Sequence, residues 1–462
     1  MAADVSNKKI STSKLICWIA TFAVPVIFAI IPTGEVMTRD IKVFLAITII
    51  ALIAFCCQHI PMPVAAITLP MFYVIFGLCD AGTAFSSWSN HLPWLILGGL
   101  VFAAVLVNVG LAKRIAYKCI LLTGCNYTGI IWGVAISSLI IAMVIPGNGA
   151  FPMLALTYGI CRALDFGKSK ASAGIMMTAI ITTTSTWTFA YYPNSDVMLA
   201  AGEGVTGPMN IAWLDWLKFG WPMIIAWLII IFLITKLFKP DQPMGDKEYF
   251  HNEYKAMGAF STQEKKAAVI TVILFASICT SSLHKIPIGF CFAIFAMLFF
   301  IPGIGVGKDE LKNVNFSFVI FIASCMTIGN VAASLGIGQI AANLVTPILQ
   351  GRGVVFVLIF TWLFAVLINF LMTPMAIIAG FTVPFAQIAL NLGLNPMPIY
   401  LTMIYGMSQL VLPYEFADYL LYYSFDMIPL KDFTKIMGIK MALSLVFLVA
   451  IMIPYWKLIG LL

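Results

Sequence analysis

Three carboxylates stand in stretches that are otherwise apolar enough to lie inside a membrane. Asp196 comes shortly after Pro193, and Glu415 and Asp418 come shortly after Pro413. A carboxylate at membrane depth costs several kcal/mol, so it normally faces a bundle interior or a water-filled cavity. A proline breaks the helix there, and the freed backbone is tolerated only where it is buried in protein or lines a cavity. Together the two features predict a solute or ion site near the midplane of a transporter.

The composition assigns the whole chain to the membrane. Hydrophobic residues make up 61% of the chain and charged residues only 10%, against about 25% charged residues in a soluble domain. Apolar runs recur from Leu15 to Leu462, which predicts an all-α polytopic membrane protein. The ten cysteines form no C-x-x-C pair and the four histidines lack metal-ligand spacing, so we predict no metal and no cofactor. No H-E-x-x-H or G-x-S-x-G element lies in the spans, so we do not predict an enzyme.

The apolar runs predict about eleven transmembrane helices and two re-entrant hairpins, arranged as two repeats. The hairpin tips fall near 146–149 and 372–375, and a proline-broken helix follows each hairpin. Each half ends in a D-[WF]-x-K element, at 215–218 and 432–435. An odd number of predicted crossings separates the halves, so they are inverted relative to each other. Paired broken segments in corresponding positions of two halves are the best sequence pointer to a transport site.

The distribution of basic residues predicts the orientation. With the N-terminus in the cytoplasm, most of the 26 Lys and Arg residues, Lys440 among them, fall on the cytoplasmic side and the C-terminus falls outside. On this assignment no Lys or Arg lies in the mid-membrane segments. The net charge of +7 is then a topology signal. We therefore predict a multi-pass protein of the cell membrane, with the lipid bilayer and a small-molecule solute as partners and no nucleic acid.

Neutral polar groups gather at the same breaks as the acids. Asn148 lies between Gly147 and Gly149, which expose backbone N–H groups to a ligand. Thr184 belongs to a run of hydroxyls that either back-bond to the preceding turn or face the site. For Asn369, which lies inside an apolar run, we expect interhelical hydrogen bonding. The candidate solute-binding residues are Gly147, Asn148, Gly149, Thr184, Tyr192, Asn194, Ser195, Thr373 and Tyr414, and the candidate ion-coupling residues are Asp196, Glu415 and Asp418.

The order of spans, the opposed hairpins and the broken helices resemble the divalent anion/sodium symporters over nearly the whole chain. The segment 215–220, Asp-Trp-Leu-Lys-Phe-Gly, is also similar to family sequence. The resemblance implies transport of di- or tricarboxylates or sulfate by an elevator-type homodimer. The family has Ser-Asn-Thr at each hairpin tip, where this chain has Pro-Gly-Asn-Gly at 146–149 and Met-Thr-Pro at 372–374. Of the family's two Pro-Pro-Asn elements, one survives as Tyr-Pro-Asn at 192–194.

The resemblance also implies a division of the chain into a fixed scaffold and a moving transport domain. The predicted boundaries are 1–125 for the scaffold of the first repeat, 126–237 for the first hairpin and broken helix, 238–266 for a cytoplasmic loop, 267–350 for the scaffold of the second repeat, 351–433 for the second hairpin and broken helix, and 434–462 for the last transmembrane helix.

The acids leave several roles open. Glu415 and Asp418 either carry protons in place of a sodium site, with a carboxylate as substrate, or bind the positive group of a zwitterionic or amine solute. If the helix resumes at Pro413, these two acids share one face and one of them should be protonated. Any of the three acids could instead cap the next helix. A cation channel could also use a ring of acids, although the inverted repeat favours a carrier. The expected coupling ion is H⁺, with Na⁺ as the alternative.

Overall fold

The computed structural model describes residues 12–34, 37–57, 59–89, 92–144, 149–240, 248–301, 312, 314, 316–370 and 374–462. These segments contain helices and connecting turns, and none of them forms a β-strand. Across the first half the helices are α1 (Thr12–Ile30), α2 (Arg39–Cys57), α3 (Met62–Ile75), α4 (Ala81–Phe85), α5 (Leu92–Asn108), α6 (Leu111–Thr123), α7 (Tyr127–Val144), α8 (Ala150–Ala163), α9 (Lys170–Ser185), α10 (Pro193–Thr206), α11 (Trp213–Gly220) and α12 (Met223–Leu237).

The second half repeats this order after a short helix in the predicted cytoplasmic loop. A π-helical segment, Leu448–Met452, joins its last two helices. The helices are α13 (Tyr249–Ala256), α14 (Thr262–Cys279), α15 (Ser281–His284), α16 (Ile288–Leu298), α17 (Phe316–Ser334), α18 (Ile337–Leu349), α19 (Gly353–Asn369), α20 (Pro374–Asn391), α21 (Pro396–Met407), α22 (Ala417–Ser424), α23 (Leu430–Phe447) and α24 (Ile453–Leu458).

Glycines in corresponding positions mark the repeat. Gly110 separates α5 from α6 with φ of 81°, and Gly336 separates α17 from α18 with φ of 67°. Only glycine adopts this left-handed conformation without a steric cost, so each position ends one helix and redirects the chain into the next. Both sequence-predicted halves therefore contain the same helix–glycine–helix unit.

Few of the helices are long enough to cross a membrane as one piece. By length and composition three stretches of the described chain qualify, within Ala81–Asn108, at Tyr127–Val144 and at Leu430–Leu458. The pair α11 and α12, bent by 61°, counts as a fourth if it is one span. Since a broken helix crosses in two pieces, each piece is shorter than a full span. The count of eleven spans stays a prediction.

The broken helices pack against the hairpin arms. In the second hairpin, α19 packs against α21, while α20 packs against α10, which belongs to the first half. A Cβ atom at Gly406 of α21 would lie 2.5 Å from the carbonyl oxygen of Trp362 in α19. Glycine therefore permits the close approach of these two helices, and any larger residue there would force them apart.

A buried ion pair fastens the amphipathic helix α6 to the start of α14. The Arg114 Nε atom lies 2.6 Å from Glu264 Oε1, and both side chains are only 4% exposed. Arg114 Nη1 also donates to the Gly258 carbonyl at 3.0 Å, and Glu264 Oε2 accepts from the Ser261 backbone N–H at 2.7 Å. The charged groups are therefore fully hydrogen-bonded, which offsets their loss of hydration.

We predict that Glu264→Ala lowers stability by about 3 kcal/mol, because it leaves the Arg114 guanidinium buried and unpaired. Burial disfavours the ionised carboxylate, but hydrogen bonds from Arg114 and Ser261 outweigh that cost and hold the pKa of Glu264 below its usual value of 4.5. The contribution is thus fully present above about pH 4.5 and is lost as the pH falls through the folded-state value. Thermal unfolding of purified protein across pH measures both effects.

The matched control is Glu253→Ala, which removes a carboxylate from the exposed pair with Lys113 on the same loop. Its cost should stay below about 1 kcal/mol. Equal losses from the two variants would show that the buried pair contributes nothing particular to this junction.

Candidate functional site

The first broken helix is interrupted after α9. A short 3₁₀ turn, Thr186–Thr188, follows α9, and the chain restarts as α10 with Pro193 in its first turn. Hydroxyls before the break bond to the preceding turn, with Thr183 Oγ1 at 3.0 Å from the Ala179 carbonyl. This back-bonding was one of the two roles expected of the threonine run.

Thr184 does more than back-bond, because its hydroxyl also reaches the second half of the chain. Thr184 Oγ1 lies 2.6 Å from the Ile180 carbonyl and 2.8 Å from the hydroxyl of Tyr419 in α22. Tyr419 follows Asp418 directly, so this hydrogen bond brings the end of α9 next to the first turn of α22. The two broken helices therefore meet at their interruptions.

Asp196 lies in the first turn of α10, where the positive end of the helix dipole favours a carboxylate. Its side chain is buried, and its Oδ1 atom accepts a hydrogen bond from the Tyr191 hydroxyl. Tyr192 donates its hydroxyl to the Thr183 carbonyl at 3.3 Å. Ser195 is fully buried, and its hydroxyl has no hydrogen-bond partner among the described residues. The half-buried Asn194 lies beside it.

Glu415 accepts hydrogen bonds from the backbone at the interruption of the second broken helix. α21 ends at Met407, and a 3₁₀ turn spans Pro413–Glu415. Glu415 Oε1 accepts from the backbone N–H groups of Val411 at 3.1 Å and Leu412 at 2.7 Å. The other carboxylate oxygen is buried and has no hydrogen-bond partner in the described part of the chain. One oxygen of Glu415 thus satisfies the interrupted backbone, and the second is left for a proton or a ligand.

The condition on which Glu415 and Asp418 would share a helix face, a helix resuming at Pro413, is not met. The helix resumes at Ala417, because Phe416 is extended, with φ of −145° and ψ of 135°. Asp418 therefore stands in the first turn of α22, while Glu415 belongs to the preceding turn. The expectation that one of these two acids is protonated because they share a helix face required a helix starting at Pro413, so it loses its basis.

The second broken helix also reaches the first hairpin. The Tyr422 hydroxyl of α22 donates to the carbonyl of Ala150 at 2.7 Å. Ala150 begins α8 directly after Gly149, which is buried close to the other hairpin arm at Ala142. Of the other candidate residues, Gly147, Asn148, Thr373 and the side chain of Tyr414 lie outside the described part of the structure.

Lys440 contradicts the expectation that no Lys or Arg lies near the breaks. Its assignment to the cytoplasmic side by charge bias stays a prediction. Its side chain is buried, and its Nζ atom donates to the Ser408 carbonyl and lies 3.3 Å from Gln409 Oε1, at the second break. Lys440 lies about 15 Å along α23 from the start of that helix. This distance from the start of the helix was the feature of the sequence that could have indicated a buried position for Lys440.

Asn369 has the interhelical role predicted for it. Its Nδ2 atom donates to the carbonyl of Met407 at 3.0 Å, and the carbonyl of Gly406 lies at 3.4 Å. Met407 is the last residue of α21, where carbonyls run out of intrahelical partners, whereas the Gly406 carbonyl also accepts from the Gln409 backbone N–H at 2.9 Å. In the segments that the structure describes, no three His, Cys, Asp or Glu side chains gather closely enough to hold a metal ion.

Interrupted apolar helices that meet at buried carboxylates define a multi-pass membrane transporter. The chain belongs to the family described as the sodium:sulfate symporter transmembrane region, whose pattern matches residues 12–462. The resemblance to the divalent anion/sodium symporters is thus confirmed, as is the prediction of a transporter in place of an enzyme.

Two of the curated relatives that match this chain are named for the carboxylates they transport. The chain is 22% identical to the L-tartrate/succinate antiporter of Escherichia coli strain K12 over 392 residues, which cover 80% of this chain and 79% of that protein. It is 26% identical over 271 residues to the chloroplastic dicarboxylate transporter 1 of Spinacia oleracea, covering 55% of this chain and 47% of the relative. A membrane protein of Cupriavidus necator is 26% identical over 284 residues, which cover 58% and 54% of the two chains. The chain thus spans about half the length of the last two relatives.

Two solved transporters share the fold. The YdaH transporter of Alcanivorax borkumensis superposes with a TM-score of 0.55 at 11% identity, covering 97% of this chain and 99% of that one. MtrF of Neisseria gonorrhoeae, from a class of antimetabolite efflux pumps, gives 0.58 at 12% identity, covering 94% and 97%. At this identity the likeness describes the all-helical architecture and not the substrate.

We predict that Glu415→Ala destabilises the protein by about 1 kcal/mol more than Glu415→Gln does. Alanine removes the acceptor for two backbone N–H groups, whereas the glutamine oxygen still accepts from them. Thermal unfolding of the two purified variants gives the comparison. Glu203→Ala, at an exposed position late in α10, is the control and should match the wild type. Identical unfolding of both Glu415 variants would rule out the capping role.

Proposed function

We propose that the protein is a secondary active transporter that moves a small organic anion, of the di- or tricarboxylate class, by alternating access. The observation that carries this proposal is the junction of the two broken helices, where Thr184 bonds to Tyr419 and Tyr422 bonds to Ala150. The family assignment and the relatives named for dicarboxylates, tartrate and succinate support the same substrate class.

Helix N-termini at the breaks favour an anionic substrate. α10 and α22 restart at the two interruptions, and α8 starts beside the first hairpin tip. Each N-terminus leaves backbone N–H groups free and carries partial positive charge, which suits a carboxylate ligand. Gly147, Asn148, Gly149 and Thr373 complete the proposed binding set at the tips, with Thr184, Tyr192, Asn194, Ser195 and Tyr414 at the breaks.

The proposed coupling uses protons or runs without sodium. Both hairpin tips lack the Ser-Asn-Thr sequence that the resemblance attributes to the divalent anion/sodium symporters, and the breaks carry acids instead. Glu415 keeps one carboxylate oxygen without a hydrogen-bond partner in the described chain, and Asp418 stands half-buried in the first turn of α22. Either group could take up a proton during the cycle. The acids are also compatible with a zwitterionic solute, and competition by amino acids in the experiment below tests that alternative.

We further propose that two copies assemble in the cell membrane with the N-terminus in the cytoplasm. The scaffold segments, about 15–109 and 267–333, stay fixed while the hairpins and broken helices, 126–237 and 351–433, move across the membrane. The cross-packing of α20 on α10 supports a transport domain built from both repeats, because neither repeat forms it alone.

Purified protein in liposomes loaded with unlabelled succinate should take up labelled succinate by counterflow, in sodium-free medium. A carrier exchanges internal for external solute, whereas a channel gives no such exchange. Tartrate and citrate should compete, and glycine and other amino acids should not. Uptake that requires a sodium gradient and ignores a pH gradient would contradict the proposed coupling, and competition by amino acids alone would favour the zwitterion.

Neutralising the acids should separate exchange from accumulation. We predict that Glu415→Gln and Asp418→Asn fold and insert but lose pH-driven accumulation by about 10-fold or more, keeping at most exchange, because the transported proton loses its carrier. Accumulation measured from pH 5 to 8 should also lose its pH dependence in these variants. Asp426→Asn is the control, since that acid is exposed and pairs with Lys168. Wild-type accumulation and pH profile in both variants would make the acids structural.

A further inference from the structure

The C-terminus of α21 presents carbonyl groups that need hydrogen-bond donors from other parts of the protein. The carbonyls of Met407 and Ser408 lie where the helix no longer supplies donors, and they carry the partial negative charge of a helix C-terminus. In transporters with broken helices such ends coordinate the coupling cation. Here Asn369 donates to the carbonyls of Gly406 and Met407, and the ammonium group of Lys440 donates to the carbonyl of Ser408.

The surroundings of Lys440 are polar but contain no counter-charge. Its Nζ atom lies 3.3 Å from Gln409 Oε1, and no carboxylate of the described residues forms an ion pair with it. A buried ammonium is costly unless it is well hydrogen-bonded or meets an opposite charge. The negative end of α21 supplies that charge, so the position of Lys440 is electrostatically specific to this helix end.

A small cavity, lined mostly by apolar surface with a few polar groups, adjoins the Lys440 side chain. It has a volume of about 40 Å³, and its polar lining includes Ser185, Thr188, Gln409 and Lys440. The Ser185 hydroxyl is buried and has no hydrogen-bond partner in the described structure. The cavity holds a water molecule or a small ion but not a dicarboxylate. A covalently attached cation, Lys440, already stands in its wall.

The repeat shows that this cation belongs to one half only. Counted from the matching acids Asp215 and Asp432, the position equivalent to Lys440 is Met223. Both side chains line the same cavity. At the first break a neutral donor, Trp216 Nε1, meets the carbonyl of Trp187 at 3.1 Å. The second half of the chain thus has a lysine where the first has a methionine, so a broken helix of this fold does not require a cation at that position.

We propose that the Lys440 ammonium is a tethered cation that takes the place of a dissociable coupling cation at the carbonyl end of α21. The second broken helix is then neutralised permanently, and its half of the cycle needs no sodium. This inference rests on the transport function proposed above and names the residue responsible for sodium independence. Lys440 acts as a positioning residue, because it holds the break in shape and does not reach the substrate.

The test compares Lys440→Ala and Lys440→Met with the wild type and with Lys431→Ala, an exposed lysine on the same helix. Succinate exchange is measured in choline, sodium and ethylammonium chloride. Wild type and Lys431→Ala should exchange equally in all three. Both Lys440 variants should lose exchange about 10-fold or more in choline, and ethylammonium or sodium should restore it in Lys440→Ala, where the shortened side chain leaves room.

Thermal unfolding supplies a second measurement that needs no transport. Ethylammonium or sodium should raise the melting temperature of Lys440→Ala and leave the wild type unchanged, because only the variant has an empty cation position. Wild-type exchange by Lys440→Met in choline would overturn the inference, as would a Lys440→Ala variant that neither cation stabilises. If the wild type moves no carboxylate, the proposed function fails, while the melting temperatures still decide the role of Lys440.

Discussion

A membrane protein must satisfy every backbone polar group internally, and this chain interrupts two helices where water is scarce. The second interruption shows how the requirement is met. Donors from α19 and α23 take the carbonyls at the end of α21, and Glu415 takes the N–H groups that precede the next turn. Since the two donors come from α19 and α23, which lie elsewhere in the chain, the interruption exists only in the assembled fold. The packing around it follows from that constraint.

The same constraint explains why the two repeats are interlocked. Side chains near each break have hydrogen-bonding groups to satisfy, and here they reach the other half of the chain. Thr184 meets Tyr419, and Tyr422 meets Ala150 of the first hairpin. In return, α20 of the second hairpin lies on α10. Each hairpin is therefore supported by the broken helix of the other repeat, and the candidate site belongs to neither half by itself.

The elements of the fold were accessible from sequence because their signals are local. The first helix break falls just before Pro193, within the segment where a break was expected, and Gly110 and Gly336 divide the helices in both halves. The start of α22 was not accessible. A proline at the first helical position predicts a helix from Pro413, but the Glu415 cap holds a 3₁₀ turn there and leaves Phe416 extended. That outcome depends on two backbone contacts that no sequence pattern encodes.

Lys440 was missed for a different reason. Charge bias counts a lysine by its place along the chain, while a long side chain can extend toward the membrane surface or turn inward. Its direction is decided by the carbonyls of α21, which lie about thirty residues away in sequence. The roles of Asp196 and Asp418, the hairpin tips and the number of spans stay predictions, since they depend on ligands and on depth in the bilayer.

The hydrogen bond from Tyr422 to Ala150 has a consequence for biosynthesis. Its partners are 272 residues apart, and at about 5–20 residues per second the ribosome needs roughly 15 to 55 seconds to make the intervening chain. During that time the first hairpin is already in the bilayer without its supporting helix. The nascent half must therefore be sheltered by lipid, by the insertion machinery or by its own transient contacts. Substitutions along α22 can then reduce the yield of inserted protein even where the finished molecule would tolerate them.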